Sequence, residues 1–225
     1  FYIEVATDSL FENIVSYAYN QQDYHYMPGP LEYGTTFYWR MKMDEGGVWS
    51  DVWSFTTEPA NPSTINIPLI NGWNLISSNV ITEEPAMESV FEGMNNIVLV
   101  KNGAGQIYSP AFGINEIGDW NVETGYYVYT NGSSILNISG NEVNPLLNGI
   151  YLNAGWNLVS YLRNSPMNVQ QALGSIASNL IIAKNNLGGF YHPGFGINTL
   201  GEMQPGQGYW LYISSPVLLT YPVND

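Results

Sequence analysis

The stretch from Gly72 to Tyr129 is written a second time from Gly155 to Tyr212, 83 positions further along and without a gap. Gly72-Trp73-Asn74-Leu75-Ile76-Ser77 returns as Gly155-Trp156-Asn157-Leu158-Val159-Ser160, and Lys101-Asn102 as Lys184-Asn185. Tyr108, Pro110 and Phe112 to Asn115 return as Tyr191, Pro193 and Phe195 to Asn198; Gly125-Tyr126 and Tyr129 return as Gly208-Tyr209 and Tyr212. A fixed offset over this length marks a duplication, so both segments must be able to adopt one fold. The chain then divides into a first module at 1–60, one copy at 65–145 and a second copy at 148–223, with the Pro/Asn/Ser-rich stretch from Glu58 to Thr64 as a linker.

Within each copy the pattern predicts a strand, one short helix and several further strands. Met87, Val90, Phe91 and Met94, and in the second copy Val169, Ala172, Leu173 and Ile176, fall on an i, i+3, i+4, i+7 stripe. Thr82 and Ser165 are the expected N-caps, with Pro166 just inside, where its missing N–H costs nothing. Ile97 to Val100 and Leu180 to Ala183 read as strands buried on both faces. In the first module Phe1, Ile3 and Val5 alternate with Tyr2, Glu4 and Ala6, and Phe37 to Met43 alternates likewise. Asp44-Glu45-Gly46-Gly47 supplies a turn into Val48 to Thr57. The expected fold class is all-β dominated, a partial β-sandwich followed by two tandem small β-rich domains with one short helix each.

Charge narrows the partners. Five basic residues stand against nineteen acidic ones, a net charge of −14, which repels phosphate backbones and excludes nucleic acid. The chain has no cysteine, so its stability must come from packing alone. No apolar run reaches the ~18 residues of a membrane span. Phe1 opens inside a strand pattern with no charged-then-apolar leader, so the expectation is a longer precursor whose upstream domains are partners of this chain. Asn131-Gly132-Ser133 and Asn137-Ile138-Ser139 are glycosylation sequons, common by chance in so Asn- and Ser-rich a chain.

The run FYIEVATDSLFENIV and, after it, LEYGTTFYWRMKMDEGGVWSDVWSFTTE resemble a fibronectin type III domain of the kind strung along secreted bacterial proteins. That resemblance implies that LEYGTTFYWRM is the F strand and VWSDVWSFTT the G strand. Phe37 falls on the family's tyrosine-corner position and brings no hydroxyl. It also implies that the first two strands of the sandwich lie before Phe1, which would expose Ile3, Val5 and Trp39 and leave an edge open to a strand from a neighbouring subunit. The repeat GWNLIS, IVLVKNGAGQIYSPAFGINEIGDW, GYYVYT resembles a module of large secreted bacterial proteins that stands near the sorting domain of the type IX secretion pathway. It implies an extracellular, β-rich module at the cell surface with no catalytic activity.

Candidate chemistry is sparse. His25 and His192 form no zinc or triad constellation, and the histidine at 192 stands where the other copy has Ser109. Gly103-Ala104-Gly105 becomes Asn186-Leu187-Gly188 in the second copy, which fits a turn and not a phosphate cradle. No cofactor is expected; Asp44, Glu45 and Asp51 are acidic enough for a loop calcium ion but lack EF-hand spacing. Lys101/Lys184, Asn115/Asn198 and Asp119/Glu202 give each copy a lysine, an asparagine and a carboxylate, either structural or the set an intramolecular isopeptide bond requires. Trp73/Trp156 and Tyr126/Tyr209 recur in strand contexts and are expected in the core. Trp120 becomes Met203 and is the expected exposed aromatic for stacking on a glycan. The sequence thus favours a non-catalytic surface, stalk or adhesion segment of a larger secreted protein. The alternatives are a carbohydrate-binding module attached to an enzyme and a filament subunit assembled by strand donation.

Overall fold

The computed structural model of the chain describes residues 1–19, 26, 28 and 31–224. The fold is all-β, with antiparallel sheets throughout and only two α-helices, each of four residues, among the described residues. Residues Phe1–Ala60 form one compact unit and Asn61–Asp225 another.

The first unit is a four-stranded sheet of β1 (Tyr2–Ala6), β2 (Ile14–Ala18), β3 (Thr36–Lys42) and β4 (Trp53–Thr56) in the order β2-β1-β3-β4. Period-two alternation places Val5 opposite Trp39, Trp39 opposite Trp53 and Phe37 opposite Phe55 on one face. The tryptophan rings lie 4.7 Å apart and the phenylalanine rings 5.7 Å. On the other face the Arg40 guanidinium donates to Glu4 Oε2 at 2.7 Å and lies 4.0 Å from the Phe11 ring centroid. The strand expected from Val48 begins only at Trp53. Val5, expected exposed, is buried, and Ile3 and Trp39 are half-buried; open apolar surface lies on β4, at Trp53 and Phe55, and on β2, at Ile14, Val15 and Tyr17.

The second unit holds both copies. The first copy runs β5 (Pro62–Leu69), β6 (Gly72–Ile76), β7 (Val80–Ile81), α1 (Met87–Val90), β8 (Ile97–Lys101), β9 (Ile107–Ser109), β10 (Ile114–Asn115), β11 (Tyr126–Thr130) and β12 (Ser134–Glu142). The second runs β13 (Ile150–Leu152), β14 (Gly155–Ser160), β15 (Met167–Asn168), α2 (Val169–Ala172), β16 (Leu180–Lys184), β17 (Phe190–His192), β18 (Ile197–Asn198), β19 (Glu202–Met203), β20 (Gly208–Ile213) and β21 (Val217–Leu219). Their main sheets, β6-β11-β8-β9-β10 and β14-β20-β16-β17-β18, have the same strand order. The backbone repeats as well: Gly113 and Gly196 both take φ 63°, the left-handed conformation that ends each short 3₁₀ turn after Pro110 and Pro193.

The offset is not gap-free, however. β8 and β16 stand 83 residues apart, but α1 and α2 only 82, so one residue is lost before the helix and regained after it. The second copy spends the extra residue in a 3₁₀ turn, Gly174–Ile176. The caps are accordingly Ala86 and Asn168, not Thr82 and Ser165, and Pro166 lies outside the helix. A one-turn helix gains little from a cap, and burial of the Met87/Phe91 and Val169/Leu173 stripes sets where it starts.

Each main sheet buries one face. In the first copy Ile76, Val100, Tyr108, Tyr126 and Val128 pack under Met87, Phe91, Leu69 and Leu136. In the second, Val159, Ala183, Tyr209 and Leu211 pack under Val169, Leu173, Leu152 and Leu219. The central strands are therefore not buried on both sides: Leu99 is half-buried and Ile181 exposed.

The copies, read from the sequence as separate modules, are joined by contacts that repeat with the copies exchanged. Ser77 donates its N–H to the Gly206 carbonyl at 3.0 Å and its hydroxyl to Gln207 O at 2.7 Å. Ser160 donates its N–H to Glu123 O at 3.1 Å and its hydroxyl to Thr124 O at 2.8 Å. Ile76 bridges Gln207, and Thr124 bridges Val159. A contact of residue i with j′ answered by j with i′ is the mark of an isologous interface, here within one chain. Equivalent residues meet at its centre: Trp210 Nε1 donates to Tyr127 Oη at 3.1 Å. Gly125 and Gly208 approach so closely that a Cβ on Gly208 would lie 3.3 Å from the Gly125 Cα. This interface explains why Ser77/Ser160 and Gly125/Gly208 stand in both copies.

Candidate functional site

The unburied face of each main sheet carries an aromatic group. Side chains alternate along β6 and β14, so when Ile76 and Val159 point into the core, Trp73 and Trp156 point out. Trp73 is 45% exposed and Trp156 48%. Trp73 lies 5.1 Å from the Tyr129 ring and 6.0 Å, edge-on, from Tyr127. Trp156 repeats this with Tyr212 at 5.1 Å and Trp210 at 6.1 Å. The expectation of core tryptophans at these two positions is thus corrected.

Trp120 is the converse case. It is 5% exposed and stacks on Tyr126 with ring centroids 4.3 Å apart, so it cannot offer a face to a glycan. Its counterpart Met203 is fully buried at the equivalent place. The two residues differ between copies because they fill cores of different shape. Tyr126 and Tyr209 are buried as expected, and their hydroxyls accept the N–H of Asn121 and Gln204. Burial pushes the Tyr126 hydroxyl up to about 12 and raises Tyr209 and Tyr221 above the usual phenol range.

The lysine, asparagine and carboxylate of each copy do not converge. Lys101 sits opposite Tyr127 on the outer face, whereas Asn115 sits opposite Tyr108, a core residue, on the inner face two strands away. Asn115 donates to the Glu88 carboxylate of α1 at 3.0 Å and accepts the Gly118 N–H. Asn198 accepts the Gly201 N–H in the same way. Lys184 places its ammonium 4.4 Å from the centroid of Trp156. Asp119 is exposed, and Glu202 accepts from Gln204 at 3.5 Å. An isopeptide bond would have to pass through the sheet, which excludes it.

His25 lies outside the described residues. His192 lies 4.4 Å from the Phe195 ring, with the two planes tilted by 38°. Among the described residues no group of three His, Cys, Asp or Glu side chains is placed to hold a metal ion. No helix among them is long and apolar enough to cross a membrane.

Two further positions stand out as identical and exposed. Phe112 and Phe195, on the 3₁₀ turns, are 79% and 76% exposed. Each copy therefore presents a half-exposed tryptophan on a sheet and a phenylalanine at a loop tip.

Exchange of the copies also relates two clefts at the interface. One, of about 470 Å³, is lined by Trp156, Tyr151 and Leu158 of the second copy and by Gly103, Ala104, Asp119, Asn121 and Glu123 of the first. The other, of about 170 Å³, is lined by Trp73 and Leu75 of the first copy and by Asn186, Leu187 and Gly206 of the second. Gly103-Ala104 and Asn186-Leu187 are equivalent positions; Leu187 is 79% exposed, so the difference that narrows the second cleft is Asn186 in place of Gly103. Asn186 further ties its cleft shut by donating to the Trp73 carbonyl at 3.2 Å. Along the sequence this difference marks only a turn; its pairing with Trp156 exists only in three dimensions.

Comparison with family models, with characterised proteins and with solved structures finds no match to this chain.

Proposed function

We propose that this chain is a non-catalytic adhesion segment of a larger secreted bacterial cell-surface protein. The observation that carries the reading is the pair of exposed aromatics kept in both copies, Trp73/Trp156 and Phe112/Phe195. A large aromatic left in water gains little from folding, so retention at equivalent places fits a surface task and not packing. The duplicated polar residues are engaged in the fold: Asn115 and Asn198 tie turns, and Lys184 rests on Trp156. The strand order β2-β1-β3-β4 fits a C′-C-F-G sheet, which supports the fibronectin type III-like reading of the first unit. The net charge of −14 suits an extracellular surface that must not capture nucleic acid.

The test is adhesion of beads coated with the purified chain to bacterial cells and to extracellular matrix under flow. Parent beads should adhere, and beads carrying Trp73→Ala, Trp156→Ala, Phe112→Ala and Phe195→Ala together should release while the protein keeps its melting temperature. Parent beads that adhere no better than albumin-coated ones would remove the proposal.

A further inference from the structure

We infer that the larger interface cleft, at Trp156, is a binding site for a neutral oligosaccharide. The inference rests on the adhesion reading and names its ligand and its site.

Size separates the two interface clefts. Its 470 Å³ falls within the range of about 300–1,000 Å³ typical of ligand pockets, whereas its 170 Å³ counterpart falls below it. The cause is local, since Gly103 stands where Asn186 reaches across the other cleft to the Trp73 carbonyl. Divergence of two copies at this one turn has opened one of two otherwise equivalent sites.

The lining then selects the ligand. Trp156 is half-exposed, and its orientation is held by Tyr212, Trp210 and the Lys184 ammonium. A fixed indole is a platform for the apolar C–H face of a pyranose ring. Around it Asp119 and Glu123 are exposed, and no hydrogen bond within the described residues engages either carboxylate. The Asn121 side-chain oxygen accepts the Glu123 N–H, which leaves its amide NH₂ as a donor. Tyr151, 63% exposed, adds a hydroxyl. Carboxylates that accept, an amide that donates and an aromatic plane are the complement of a sugar, whose hydroxyls donate and accept around a C–H face. Two carboxylates against the one Lys184 ammonium, which is engaged on the Trp156 ring, on a chain of net charge −14, disfavour uronic, sialylated or sulfated glycans.

The test is a printed array carrying neutral oligosaccharides, anionic glycans and a lysine-rich peptide, probed with the labelled full-length chain. Neutral glycans should bind. Trp156→Ala should weaken binding roughly tenfold or more, the worth of one good ring contact. Gly103→Asn, which copies the asparagine that ties the other cleft shut, should weaken it comparably without touching the indole. Ile70→Ala, an exposed side chain of the narrow cleft, should leave it unchanged. Thermal melts of the three variants separate these effects from misfolding. Absence of neutral-glycan binding, preference for anionic glycans or the peptide, or equal loss in Ile70→Ala and Trp156→Ala would each overturn the inference. If beads adhere and lose adhesion in Trp156→Ala while the array stays blank, the adhesion reading stands and the glycan is wrong. If the array binds neutral glycans while the beads do not adhere, the cleft keeps its ligand and the adhesion reading falls.

Discussion

Replacing Gly208 by alanine should loosen the joint between the two copies. A Cβ at that position would lie 2.9 Å from the Ile76 carbonyl oxygen, 3.2 Å from Leu75 Cδ1 and 3.3 Å from the Gly125 Cα. Two of those three atoms are backbone, held by the strands and the interface, so neither can swing aside as a side-chain tip would. Forcing one methyl into such a contact costs about 1–3 kcal/mol. For a unit of this size each kcal/mol lowers the melting temperature by roughly 2–4 °C, which puts the expected fall between roughly 2 and 12 °C. Calorimetry of the full chain measures it, with Gly174→Ala as the control: a Cβ there meets nothing within 4 Å. That control should be neutral or gain up to about 1 kcal/mol from a less flexible unfolded chain. Amide exchange adds a local readout, because the N–H groups of Ser77 and Ser160 are protected only by the other copy's carbonyls. If Gly208→Ala melts with the control and both amides stay protected, the two copies are not held by this interface.

Three further outcomes follow from the same packing. Trp120→Ala should cost about 3–5 kcal/mol by denaturant unfolding, as loss of a core ring does, and Trp120→Met, which copies Met203, should cost less. Gly140→Ala should destabilise more than Gly208→Ala in the same assay, because its Cβ would fall 1.9 Å from the Ile81 carbonyl oxygen. Alkaline pH should weaken the fold: burial raises the hydroxyls of Tyr126, to about 12, and of Tyr209 and Tyr221, whereas an unfolded phenol titrates near about 10. Above about pH 10 the unfolded chain binds fewer protons than the folded one, so stability, fully present below that point, falls as pH rises toward 12. Urea midpoints at pH 8 and pH 11 measure this, and equal midpoints would contradict it.

Much of the architecture is legible along the chain, because it depends on local periodicity. The alternation in β1 and β3 specifies which residues share a face, and the repeated GWNLIS/GWNLVS and GY motifs announce two copies of one sheet. What periodicity cannot supply is which of two faces a sheet buries. Trp73 and Trp156 look like core residues and Trp120 like a surface one, yet the helices and the β5–β12 and β13–β21 pairs cover the opposite face and reverse both assignments. The helix start is equally hidden, since a four-residue helix follows its buried stripe and slips by one residue without disturbing the strands around it. The cleft at Trp156 is furthest from the sequence. It combines a strand of one copy with a turn and a loop of the other, and which cleft is open depends on Gly103 and Asn186, which line different clefts. Two β-rich copies can be read along the chain, because repetition and alternation are properties of a line. How the copies join and which face stays open is set in three dimensions, because burial is shared among segments that come together only on folding.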